Sequence, residues 1–99
     1  MEAALEAYTS LLATLSDASP MRCPVLSNRS ACLLALGKYE RCVEDVTAAL
    51  GSAAGTGRGR AAAKLLMRRG EARRKLGFYT EAEIDLQLAA SAAQGDDEL

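Results

Sequence analysis

Residues 26–50 read LSNRSACLLALGKYERCVEDVTAAL, and residues 66–90 read LMRRGEARRKLGFYTEAEIDLQLAA. Laid over one another at an offset of forty, seven of the 25 pairs are identical: Leu26/Leu66, Arg29/Arg69, Leu36/Leu76, Gly37/Gly77, Tyr39/Tyr79, Asp45/Asp85 and Ala49/Ala89. Chance supplies roughly two at ordinary residue frequencies. Conservative matches fill several gaps, among them Val25 with Leu65, Ser30 with Gly70, Cys42 with Ala82 and Val46 with Leu86. Self-similarity at such a period marks supersecondary units that stack on one another, because one unit alone cannot bury its apolar face.

Each copy reads as two helices. Over 25–36 the apolar stripe is Val25, Leu26, Cys32, Leu33 and Leu36. Gly37-Lys38 breaks it, with glycine suited to the left-handed residue that ends a helix. Over 39–50, Tyr39, Cys42, Val43, Val46, Ala49 and Leu50 recur at helical spacing on one face. The second copy repeats the plan over 61–76, a Gly77-Phe78 turn, and 79–93. Small residues return at matched places: Ser30, Cys42 and Ala49, then Gly70, Ala82 and Ala89. At these points the paired helices are expected to approach closely, where a leucine would wedge them apart.

Outside the two copies, residues 1–15 fit half a unit. Ala4, Tyr8, Leu11 and Leu12 have the spacing of Ala82, Leu86, Ala89 and Ala90, so the chain opens on a second helix whose first helix is missing. Ser16-Asp17-Ala18-Ser19-Pro20 makes the following turn. Residues 51–60 are a Gly-rich linker between the copies, and 94–99 an acidic tail. The expectation is an all-α stack of five helices in one domain, 1–93, with the orphan helix leaving an open face through which a second copy can associate. A shortened form of a longer protein is expected on the same ground.

The 99 residues include twenty Ala and fifteen Leu against two Pro and four aromatics, which favours helices over a sandwich or barrel. With 49% hydrophobic residues, 25% charged and a net charge of −1, the chain is no disordered tail. No apolar run reaches the ~18 residues of a membrane span. Met1-Glu2-Ala3-Ala4 lacks the basic head of a secretory signal, so the cytoplasm is the expected compartment, with nucleus and cilium as further settings. On that basis the sequon Asn28-Arg29-Ser30 is set aside.

Catalytic chemistry is not expected. There is no histidine, which excludes Cys–His and Ser–His–Asp arrangements. Cys23, Cys32 and Cys42 are spaced nine and ten apart, without a metal-ligand pattern, and read as small apolar core residues. The Gly55–Arg60 run lacks the spacing of a phosphate loop and a preceding strand. Glu44, Asp45, Glu81 and Asp85 fall on second helices and are expected on the outer layer. No cofactor and no metal is implied.

The stretches NRSACLLALGKYERCVEDVTAAL and RRGEARRKLGFYTEAEIDLQLAA resemble the tetratricopeptide repeat (TPR), a helix–turn–helix of about 34 residues. The six extra residues of the forty-residue period fall in the linker. In that family the first helices line an inner groove. Lys64 and Arg68 are four apart, hence on one face of such a helix, and Asn28 is the counterpart of Arg68 one repeat earlier. Two cations and an amide suit a carboxylate: charge-assisted donors from Lys and Arg, directional ones from Asn. The pattern is similar to the carboxylate clamp of TPR co-chaperones, which hold the acidic Hsp90 or Hsp70 tail ending in Glu-Glu-Val-Asp. Asn28-Arg29-Ser30-Ala31 and Lys64-Leu65-Leu66-Met67-Arg68 match its middle and last repeats. The family's other Lys and Asn belong to the missing first helix, so three of five clamp positions are present. The long linker followed by AAAKLLMRRGEARRKLGFYTEAEIDL further resembles the dyslexia-susceptibility family of axonemal dynein assembly factors, which implies dynein assembly factors as partners and a role in dynein-arm preassembly for cilia. That family carries an N-terminal p23-like (CS) domain, for which this chain has no room.

Residues 58–75 support an alternative. They hold eight basic residues and one acid, a net +7 against −8 for the rest of the chain. Such a stripe could meet nucleic-acid phosphates. Against that, it contains no aromatic residue for base stacking, and its cations surround the helix, Arg69 and Arg73 on one side, Lys64, Arg68 and Lys75 on another. A plainer alternative is that the basic helix pairs with Glu40, Glu44, Glu81 and Asp85 and serves only to scaffold the stack.

Overall fold

The computed structural model describes residues 1–51 and 59–97. Among them are five α-helices and no strand: α1 (Glu2–Thr14), α2 (Arg22–Ala35), α3 (Tyr39–Leu50), α4 (Gly59–Leu76) and α5 (Tyr79–Asp97). The expected all-α, repeat-like fold is thus the observed one. Among the described residues no helix is long and apolar enough to cross a membrane.

Several boundaries differ from the sequence reading. Helix α2 begins at Arg22, before 25, and contains Pro24 in its first turn. Proline is tolerated there because the first four N–H groups of a helix have no internal partner. Gly59 and Arg60, assigned to the linker, open α4, and residues 52–58 of that linker lie outside the described residues. Residues 94–97 of the expected acidic tail continue α5, the Ala-rich run before them carrying high helix propensity onward, and 98–99 lie outside the described residues.

Both repeats end their first helix in the same way. Gly37 has φ +77° and Gly77 φ +90°. Around Gly37 the Lys38 N–H donates to Leu33 O at 2.8 Å and Gly37 N–H to Leu34 O at 3.1 Å. Around Gly77 the Phe78 N–H donates to Arg73 O at 2.8 Å and Gly77 N–H to Arg74 O at 3.1 Å. This is the Schellman pattern, in which a left-handed residue lets two following N–H groups satisfy the last carbonyls. It turns the chain back so that α3 packs on α2 and α5 on α4.

Each helix packs on its chain neighbours, and α2 also touches α4. The main core joins Leu5 and Leu12 of α1, Val25, Leu26, Cys32 and Leu33 of α2, Cys42, Val46 and Ala49 of α3, and Leu65 and Ala72 of α4. A second cluster, Ala62, Ala63, Leu66, Ala89 and Ala92, ties α4 to α5. Ser30 and Gly70 stand at the close approaches. Ser30 is buried, with its hydroxyl donating to Ser27 O at 2.6 Å. A Cβ on Gly70 would lie 3.1 Å from Leu86 Cγ and 3.2 Å from Ala82 O.

On α1 the expected face is corrected at one position. Ala4, Tyr8 and Leu12 pack inward and are joined by Leu5, but Leu11 is 40% exposed. At an offset of 38, Leu11 is the counterpart of Ala49, which α3 buries. Leu5, Tyr8 and Leu12 correspond to Val43, Val46 and Leu50. Helix α1 packs on the first helix that follows it, α2, and Leu11 lies away from that contact.

A cationic cavity between the first helices

What holds the two first helices in place is a pair of matching ion pairs. Arg29 Nε donates to Asp45 Oδ2 and Nη2 to Oδ1, both at 2.7 Å. Forty residues on, Arg69 Nε donates to Asp85 Oδ2 at 3.0 Å and Nη2 to Oδ1 at 2.8 Å. The remaining terminal nitrogen reaches the preceding second helix in both cases: Arg29 Nη1 to Thr9 Oγ1 at 3.3 Å, Arg69 Nη1 to Thr47 Oγ1 at 3.2 Å. Each arginine thus clasps three helices. Arg73 Nη1 adds a third bond to the Asp85 carboxylate at 2.9 Å. The hydrogen bonds it donates to Asp45 hold the Arg29 guanidinium above its ordinary pKa against the opposing pull of burial.

These aspartates correct the sequence reading. Asp45 is 5% exposed and Asp85 1%, so neither lies on an outer layer. A buried carboxylate persists where its charge is paired and its lone pairs are filled, as here. Of the acids proposed to face the basic helix, it is Asp85 that pairs with Arg69 and Arg73. Arg74 pairs within α4, with Glu71 at 2.8 Å.

A cavity of about 460 Å³ lies between the first halves of α2 and α4. One wall carries Cys23, Pro24, Ser27 and Asn28, the other Arg60, Ala61, Lys64, Leu65 and Arg68, with Pro20 at the end. The sequence-predicted Asn28, Lys64 and Arg68 are therefore brought together. Asn28 and Lys64 are exposed and Arg68 is half-buried. Arg60, Lys64 and Arg68 are spaced by four, a single row on one face of α4. Among the described residues no carboxylate lines the cavity.

Arg68 is fixed from across the gap. Its Nη1 donates to Ser27 O at 2.8 Å and to Ser27 Oγ at 2.9 Å. Its other nitrogens, and the Lys64 ammonium, have no hydrogen-bond or ion-pair partner among the described residues. The arrangement can accept an anion: one guanidinium oriented in advance, an ammonium one turn away, and an amide opposite. Two residues of the cavity, one on each wall, escaped the sequence reading of the site. Arg60 was hidden by the glycines around it, although its spacing to Lys64 was a usable signal. Ser27 carried none, since its contact with Arg68 is made by packing.

The cysteines divide. Cys32 and Cys42 are buried as expected, while half-buried Cys23 stands at the core's edge and in the cavity wall; all three are free thiols. Burial, and then the Asp45 carboxylate, push the Cys42 thiol up to about 11, against a counter-pull from Arg68. A smaller cavity of about 250 Å³ is lined by Glu40, Val43, Arg73, Leu76, Phe78 and Glu81. Among the described residues no group of His, Cys, Asp or Glu is placed to hold a metal ion.

Comparison of the chain with protein-family models, with curated proteins and with solved structures finds no match. The functional reading accordingly stands on the cavity.

Proposed function

We propose that this chain is a TPR-type docking module that receives the acidic C-terminal segment of a partner protein in the cavity between α2 and α4. The observation that carries the reading is the gathering of Asn28, Lys64 and Arg68, with Arg60 beside them, around one cavity. Chaperone tails of the Hsp90/Hsp70 kind have the required chemistry, a terminal carboxylate preceded by acidic side chains. Arg68, oriented by Ser27, and Lys64 hold carboxylates; Asn28 orients the backbone or the terminus. The finer setting we assign is that of a cytoplasmic co-chaperone in dynein-arm preassembly, on the strength of the resemblance alone.

The nucleic-acid alternative is weakened by how the basic helix is used. Arg69, Arg73 and Arg74 are each bonded to a carboxylate, which takes three of the helix's cations out of a phosphate-binding track. Phosphate contacts along a polynucleotide need a longer track.

Calorimetry with an acetylated peptide ending in Glu-Glu-Val-Asp tests the proposal. Binding is expected, and Lys64→Ala with Arg68→Ala should abolish it, since each charged hydrogen bond contributes about 1.5–3 kcal/mol. Undiminished affinity in the double variant rejects the assignment. Tight binding of single-stranded RNA at physiological salt, with no peptide binding, transfers the row to the alternative.

A further inference from the structure

The internal repeat makes one surface comparable with its own covered counterpart. Helix α4 packs on α3, where Val46 is fully buried and Leu50 half-buried. Forty residues on, Val46 becomes Leu86 and Leu50 becomes Ala90; Leu86 rests on Gly70 of α4 but is still 42% exposed, and Ala90 is exposed too. Exposed Tyr79, seven residues before Leu86, extends the same side of α5. The polar register repeats as well. Thr9 receives Arg29 from the helix that follows it, and Thr47 receives Arg69. Gln87 is next in that series, an exposed amide able to accept a guanidinium in the same place.

Charge indicates what fits. Helix α3 has three acids and one base, Glu40, Glu44 and Asp45 against Arg41, and it is covered by α4, which has seven basic residues and one acid. Among its described side chains helix α5 has three acids, Glu81, Glu83 and Asp85, and no base. A second copy offering its own α5 would place like charges together, which opposes self-pairing. We infer that the Leu86 face of α5 is a docking surface for a basic amphipathic helix of a partner protein, seated as α4 is seated on α3. Its leucine-type residues cover Leu86 and Ala90, and an arginine reaches Gln87. This surface is separate from the cavity between α2 and α4 and does not depend on that cavity's proposed role.

The chain supplies a probe of the right character in its own residues 59–76. A capped synthetic peptide of that sequence, titrated into the isotope-labelled full chain, should give saturable amide shifts centred on Tyr79, Leu86, Gln87 and Ala90. Leu86→Glu, with folding checked by circular dichroism, should weaken binding roughly tenfold or more, as replacing a buried leucine by a charge requires. Lys64→Ala with Arg68→Ala should leave it unchanged, which separates this surface from the cavity. Absence of saturable shifts, or shifts centred on another surface, overturns the inference. So does a dimer, seen by sedimentation, that Leu86→Glu dissociates, because it would give the face to a second copy.

Discussion

At Asp85 two guanidiniums meet one carboxylate, whereas at Asp45 Arg29 is the one ion-pair partner among the described residues. That difference separates two substitutions that look equivalent in the repeat. Arg29→Met strands a nearly buried carboxylate and should lower stability by about 3 kcal/mol. Arg69→Met leaves Arg73 on Asp85 and should cost distinctly less. Urea unfolding of both variants checks this, and equal losses would contradict the pairing. Cys42 supplies a pH test. Its folded pKa, about 11, lies above the ordinary 9.0, so the protonated thiol favours the folded state. That contribution is complete below pH 9.0 and is lost as the pH rises through about 11. The stability difference between the native chain and Cys42→Ala should therefore be level up to pH 9 and shrink above it. At pH 8, a thiol reagent should modify Cys23 before Cys32 or Cys42, because the thiolate must be accessible to react.

The helices show two ways in which a glycine can matter. Gly77 has a left-handed backbone and open space where a Cβ would go. Gly77→Ala should thus cost about 1 kcal/mol of purely conformational origin. Gly70 is helical, and its Cβ would press on Leu86 and on a carbonyl of α5. Gly70→Leu should force α4 and α5 apart and cost more than Gly77→Ala, measured by thermal unfolding; the reverse order would refute the close approach. The repeat at period forty, the two glycine stops and the small residues at the crossings were all legible, because each is a local pattern of type and spacing. The Arg29–Asp45 and Arg69–Asp85 clasps were visible only as two identities. A separation of sixteen is not a same-face helical spacing, so nothing in the sequence pairs them until the hairpin closes. Leu11 was misplaced for a related reason: the apolar pattern of α1 marks both sides of a second helix, and Leu11 is on the side away from α2.

Over the whole molecule, the clasps couple the units. Arg69 spans from Asp85 to Thr47, so the second repeat cannot tilt against the first without breaking a bond. The relative placement of α2 and α4, and with it the shape of the cavity, depends on this and on the Arg68–Ser27 contacts. Asn28, Lys64 and Arg68 could be nominated from sequence because alignment of the repeats put them at adjacent first helices. That Arg60 joins them depended on where α4 begins. Binding that rests on this row should weaken steeply between low and physiological salt, since exposed charges are screened within about 8–10 Å. Salt-independent affinity would point to an apolar mode.

Location is the most direct test of the central claim. Amide shifts of the labelled chain, followed during titration with the Glu-Glu-Val-Asp peptide, should concentrate on Cys23–Asn28 and Arg60–Arg68 and spare α5. Shifts confined to α5, or none at saturating peptide, would contradict it.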